Sequence, residues 1–345
     1  MDATGDMLRA TAERVFALHA TAAALREAES GAWPQAAWDA VAEAGLAQAL
    51  LPESAGGFGI AVPDALSLLR TAGGHALPLP LAETMLATWL LPLAGLAVPE
   101  GPLTVATGPS LARHGEVWRI EGPAARVPWG RHAAHGVFLA EVGGRMHAAL
   151  VPAAAWQAAP GENLAREPRD DLRLAHDLPA DAVAPIDLDA TRIQALGAAI
   201  RVQQIAGALA RVTAMTAQYA QDRVQFGRPI GKFQAVQQNL AVLAGQAAAA
   251  SAAADLAAEA FATARVLPIA AAKARAGEAA GIAAGIAHQV HGAIGFTYEH
   301  SLHFLTKRLW SWRDEYGNEA LWSDRLGRHM LRAGADGLWA ALTEA

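Results

Sequence analysis

At 345 residues and 53% apolar side chains, the chain is longer than one core usually fills and too apolar for disorder, so two or three domains are expected. Its 27 basic and 33 acidic side chains give a net charge of −6, and the basic ones form no long run, which argues against a nucleic-acid groove. The absence of cysteine excludes disulfides, thiolate nucleophiles and cysteine metal sites, and suits a cytoplasmic protein.

The acidic start, with Asp2, Asp6 and Glu13, is unlike a secretory leader. Residues 3–29 predict a helix of Ala, Leu and Glu that Gly31 and Pro34 stop, and residues 35–50 a second. Leu51 to Gly59 is too rich in glycine and proline for an element interior. Helices near 63–73 and 81–90 follow, bounded by Pro78, Pro80 and Pro92. Short apolar runs then replace helical periodicity. Leu103 to Thr107, Val117 to Ile120, Gly136 to Glu141 and Met146 to Val151 predict strands, and Gly143-Gly144 predicts a hairpin. Residues 160–168 predict a loop.

From Asp189 the pattern is helical again. Ile193, Leu196, Ile200, Ile205, Leu209, Val212 and Met215 form one stripe along a helix of about residues 190–225, which Gly227-Arg228-Pro229 ends. Helices at about 232–264, from Pro268 to about 290, and from Glu299 onward complete a four-helix bundle. The stretch 241–262 is the most membrane-like. Gln246, Ser251, Asp255 and Glu259 would be costly in hydrocarbon, so it is expected to be a buried helix packed through alanine, with no membrane partner. Gly281, Gly285 and Gly292 predict close helix contact. The expected domains are an all-helical one at 1–99, a small antiparallel β domain at 100–186 and a helical bundle at 187–345.

Two segments of the bundle carry polar side chains that a plain bundle has no use for. One runs from Tyr219 through Arg223, Gln225, Phe226, Gly227 and Pro229 to Phe233-Gln234, and the other from His288-Gln289 through His291-Gly292 and Gly295 to Glu299. With Pro52-Glu53, Gly56-Gly57 and Gly59, and in this order, they resemble three motifs of the acyl-CoA dehydrogenases over essentially the full length. The resemblance implies that family's fold, an N-terminal helical domain, a small antiparallel β-barrel or sheet domain and a C-terminal four-helix bundle. It also implies assembly as dimers or pairs of dimers, with FAD at the subunit interface, an acyl-CoA substrate and electron transfer flavoprotein as acceptor. Arg223 and Phe226, with Gln225 beside them, would reach the neighbouring subunit's FAD. Gln289, His291 and Gly292 would line its adenosine and pyrophosphate end. Trp118, in Trp118 to Gly122, would pack on the flavin, although Glu121 is a poor substitute for the small hydroxyl residue the family uses there. A guanidinium suits a pyrophosphate, and glycine lets backbone approach closely. The alternative for Arg223 is a surface salt bridge to Asp222 or Asp255, and for the histidines a satisfied core role. Spacing of His288, His291, His300 and His303 would also permit zinc, but no metal is expected.

The family's base is a carboxylate near the acyl α-carbon. Most members place it in a Tyr-Glu-Gly sequence after the second motif. The corresponding place here reads Glu315-Tyr316-Gly317, with Tyr316 at the glutamate's position. Other members place it at the start of the long helix, which here corresponds to the neighbourhood of Gly197. Candidate catalytic positions are therefore Tyr316, a poor base with its pKa of about 10, and Glu315, one residue displaced. Asp314 and Glu319 are further possible substitutes. Contacts offered to a neighbour look intact and those made within the subunit eroded. The chain thus resembles the base-deficient subunit of heteromeric bacterial acyl-CoA dehydrogenases such as those of steroid degradation, completing a partner subunit's FAD site. A complete homomer using Glu315, or a flavin-free structural subunit, are the alternatives.

Overall fold

The computed structural model describes residues 3–343. Five helices come first: α1 (Ala3–His19), α2 (Ala22–Glu29), α3 (Gln35–Glu43), α4 (Val62–Gly74) and α5 (Leu81–Leu93). The helix expected over residues 3–29 is broken in two. Thr21 turns extended, and its hydroxyl accepts from Ala24 N at 3.3 Å, so a hydroxyl cap wins over continued helix. Gly45, at φ +67°, ends α3 well before residue 50. Helix α5 is buried at nearly every position from Leu81 to Leu91, as its apolar composition on all faces requires.

Eight strands follow: β1 (Leu103–Thr107), β2 (Ser110–His114), β3 (Val117–Pro128), β4 (His135–Val142), β5 (Arg145–Pro152), β6 (Trp156–Ala159), β7 (Arg169–Leu178) and β8 (Val183–Pro185). They form two four-stranded sheets, in the orders β1-β4-β5-β8 and β2-β3-β7-β6. Pairing is antiparallel except that β1 runs parallel to β4. Gly143 and Gly144 both have positive φ between Val142 and its partner Arg145, the two-residue turn that matches sheet twist. Leu111, Ile120, Val127, Phe138, Val151, Leu172 and Leu174 form one apolar cluster shared by the sheets.

The remainder is helical: α6 (Ala190–Asp222), a two-strand hairpin of β9 (Val224–Gln225) and β10 (Arg228–Pro229), α7 (Gln234–Phe261), α8 (Val266–His291), α9 (Leu302–Asp314) and α10 (Glu319–Thr343). The last expected helix is thus two, separated by a turn at residues 315–318. Two compact units divide the chain, residues 3–65 with 78–193 and residues 66–77 with 194–343. In the second, a Cβ at Gly73 would overlap the backbone of Gln204, and one at Gly207 that of Arg70, so α4 and α6 touch backbone to backbone. Of the glycines expected at helix contacts, Gly281 lies against Arg313, while Gly285 and Gly292 face open space. Among the described residues nothing lies within 4 Å of where a Cβ would stand at those two, so the expected contact is found only at Gly281.

By length and composition α7 could cross a membrane. Its second half, from Ala250 to Phe261, is largely buried, whereas its first half is mostly exposed, so the expectation of a buried helix holds only for the second half.

Candidate functional site

Helix α6 ends where Arg223 N donates to Tyr219 O at 2.9 Å. The chain then reverses through Phe226 (φ +52°) and Gly227 (φ +78°), with Gln225 paired to Arg228. Two consecutive left-handed residues are what a tight hairpin needs, but glycine supplies only one of them. Phe226 therefore sits on the tip under strain and is 92% exposed. Its one ring neighbour among the described residues is Phe233, edge-on at 6.1 Å. Arg228 lies over the Phe233 ring, 4.2 Å from its centre. Gln225 is exposed and folds its amide onto its neighbour's carbonyl, Val224 O, at 2.9 Å. The carboxylates expected to compete for Arg223 are otherwise engaged: Asp222 accepts from Gln218 and Asp255 from Arg70. Arg223 is exposed, with no ion pair among the described residues.

The second motif closes α8. Tyr219 joins it to the first: its ring stacks on His291 at 4.4 Å, and its hydroxyl donates to His291 O at 3.3 Å. His291 is buried, and its Nδ1 bonds Ala287 O at 2.8 Å. A carbonyl only accepts, so Nδ1 carries the proton. Burial lowers the His291 pKa, keeping the ring neutral, and Nε2 is left as a buried acceptor without a partner. His288 bonds Thr306 through Nε2 at 2.9 Å and stacks between Phe296 and Trp310. Burial lowers its pKa, and that of His300, in the same way. His303 bonds His300 O at 2.7 Å. Among the described residues no three His, Asp or Glu side chains gather in metal-binding geometry. Gln289 is exposed, and Gly292, at φ +63°, has nothing within 4 Å of where a Cβ would stand.

The third group is the turn between α9 and α10. Its Tyr316 is left-handed, at φ +57°, and its ring covers Gly197 of α6. A methyl at 197 would overlap Cδ1 and Cε1 and stand 2.7 Å from Cγ. Glu315 points to a different partner. Its Oε2 accepts from Arg201 Nε at 2.7 Å, and Arg201 is 1% exposed. Arg201 also donates to Gln204 at 2.6 Å. Glu319 accepts from Arg313 Nε at 3.1 Å, and that guanidinium holds its pKa below the usual carboxylate range.

Trp118 belongs to the other compact unit. It is partly buried against the sheet cluster, 5.5 Å from His147, on the strand face opposite Glu121. Sequence reasoning missed Arg201 and Lys273, which hold the 313–317 turn, and the bond that Trp322 makes to it. The available signal was a lone cation inside a buried stripe, Arg201 after Ile200 and Lys273 after Ala272.

The residues present suit the anionic and aromatic parts of a dinucleotide. The Phe226 ring, touched only at its edge by Phe233, and the Arg223 guanidinium, with no ion pair among the described residues, both project into solvent. A buried histidine acceptor lacks a donor, and Gly292 leaves room for backbone approach.

Residues 191–330 match the profile of the acyl-CoA dehydrogenase C-terminal domain. Acyl-CoA dehydrogenase IpdE2 of Mycobacterium tuberculosis is 30% identical over 308 residues, spanning 88% of this chain and 89% of that protein. Among solved structures, the steroid ACAD Tcur3481–Tcur3483, as a variant, superposes with a TM-score of 0.86 at 26% identity, covering 96% of this chain and 98% of that one. The ChsE4–ChsE5 complex from Mycobacterium tuberculosis gives 0.85 at 24% identity, covering 97% and 99%, a likeness of fold.

Proposed function

The chain belongs to the acyl-CoA dehydrogenase family, and from that premise we propose that it is the base-deficient subunit of a heteromeric, flavin-dependent enzyme that desaturates an acyl-CoA at its α,β bond. One observation carries this reading. Gly197 and Tyr316, the two places where the family's base is expected, lie against each other, and neither offers a carboxylate. The displaced alternative, Glu315, is engaged by a buried guanidinium. A carboxylate that already accepts from Arg201 is poorly placed to take a proton from carbon.

The outward-facing residues supply a partner's site. Arg223 offers a rigid fork of donors to a pyrophosphate, and Phe226 covers the adjoining ring system. Gln289 donates and accepts at the adenosine end. The buried, neutral His291 ties this segment to the first motif through its stacking on Tyr219. FAD, when bound there, supplies the hydride acceptor. The partner subunit supplies the carboxylate and the larger share of the acyl pocket. Electron transfer flavoprotein is the expected acceptor, and a bulky, steroid-like acyl group the expected substrate class, in line with the steroid ACAD relative.

Co-expression with a neighbouring acyl-CoA dehydrogenase gene tests the reading, followed by a flavin spectrum and an anaerobic acyl-CoA titration. A yellow complex that acyl-CoA bleaches is expected, alongside a chain that is inactive when purified alone. A yellow, active homomer would overturn the proposal.

A further inference from the structure

The turn that carries Tyr316 is held by groups on three helices. Lys273 lies inside α8 among Ala272, Ala276 and Ala280, at 0% exposure. Its ammonium donates to Arg313 O at 2.6 Å and to Gly317 O at 2.8 Å, one on each side of Glu315-Tyr316. Arg313 belongs to the last turn of α9, whose unpaired carbonyls favour a cation. Trp322 of α10 donates from Nε1 to Tyr316 O at 3.1 Å. Arg201 of α6 pairs with Glu315 and stands 5.6 Å from the centre of the Tyr316 ring. A left-handed tyrosine is strained and persists where its surroundings over-determine it.

Burying a lysine carries a desolvation cost that a methionine of similar volume would avoid. The amine's own contribution is therefore the pair of carbonyl bonds across the turn. We propose that Lys273 is a positioning residue acting through Tyr316: by bridging the carbonyls of Arg313 and Gly317 it seats the phenol ring over Gly197 and closes, in this chain, the space where a base from either position would stand. The seating stands on this geometry alone, while the meaning of the closure rests on the base-deficient reading above. Glu315, Glu319, Asp314 and Arg201 are the charged groups that bear on the ammonium, and burial lowers its pKa to about 7. The bridge therefore changes charge near neutrality.

The chain has 3 tyrosines, so 3-fluorotyrosine labelling of the full chain gives three fluorine resonances, and Tyr316→Phe assigns the one of interest. Lys273→Met is expected to move the Tyr316 resonance toward that of free fluorotyrosine and to raise its sensitivity to a soluble paramagnetic quencher, with Tyr219 and Tyr298 unchanged. Lys273→Arg, which keeps a charged donor, is expected nearer to wild type. A folded Lys273→Met chain with its Tyr316 resonance in place would overturn the proposal. Should that variant not fold, the wild-type Tyr316 resonance is followed between about pH 6 and about pH 9, around the Lys273 value. A response centred near 7 supports the bridge, and a flat profile overturns it.

The closure is tested by titrating Tyr316→Ala with p-cresol, which matches the deleted side chain and is expected to bind at least about tenfold more tightly than to wild type. Equal binding overturns the closure. None of these readouts uses turnover or a partner, so their failure is distinguishable from failure of the heteromer reading.

Discussion

Tyr316 and Gly197 lie 119 positions apart in sequence, yet the ring of one rests where the side chain of the other would begin. Under the proposed function, the two places expected for the family's carboxylate thus converge on one spot, and here a phenol fills it. The pair explains why neither place is easily repaired alone.

Gly197→Ala should destabilise the chain by about 1–3 kcal/mol, since the added methyl overlaps the Tyr316 ring in a packed interior. By the same geometry Gly197→Glu should not create a working base. Gly197→Glu with Tyr316→Gly removes the obstruction and is expected to retain more of the folded state. Denaturant midpoints of the three variants check the order.

Loss of Glu315 leaves Arg201, at 1% exposure, without its carboxylate. Glu315→Ala is expected to cost about 3 kcal/mol or more, the usual penalty for stranding a buried charge. Under the proposed function, the milder Glu315→Gln should leave dye reduction by the assembled complex within about twofold of wild type, a change of about 0.4 kcal/mol or less in the barrier. Urea unfolding and an acyl-CoA dye assay separate the two effects.

Lys273 gives the chain a pH dependence of unusual sign. Its folded pKa of about 7 lies below the ordinary 10.5, because burial penalises the ammonium. Between those values the unfolded chain binds more protons than the folded one, so this group adds stability as pH rises from about 7 toward 10.5. Below about 7 both states carry the proton and the contribution is absent. Melting temperatures of wild type and Lys273→Met across this window should differ in slope, with the wild-type curve rising relative to the variant.

Phe226→Ala should hardly change the stability of the isolated chain, because a side chain 92% exposed loses little on truncation. In the complex it is expected to lower flavin content, and Arg223→Ala to do so more strongly at raised salt, where remaining electrostatic contacts are screened. Absorbance ratios of flavin to protein after gel filtration give the result.

Much of this was legible in the sequence. The stripe from Ile193 to Met215 marked α6, and Gly143-Gly144 marked the β4–β5 turn, because periodicity and positive-φ glycine are local signals. Strand β7 was not legible as Arg169-Asp-Asp-Leu-Arg-Leu-Ala-His-Asp-Leu178. Its charges mask the alternation of Leu172, Leu174 and Leu178 toward the core. The parallel pairing of β1 with β4 depends on long-range register, which composition does not carry. At the site, Arg223 and the histidines were visible as polar groups out of place, and Phe226 through the motif that it shares with Arg223. Tyr316 over Gly197, and the cations that hold it there, became visible only once α6, α8 and the 313–317 turn were brought together.

The most direct test of the central claim is an anaerobic titration of the chain alone, supplied with saturating FAD, with an acyl-CoA of the steroid-like class while flavin absorbance is followed. The account predicts no reduction under any acyl-CoA excess, and reduction once the partner subunit is added. Flavin bleaching by the chain alone, abolished in Glu315→Gln, would contradict it.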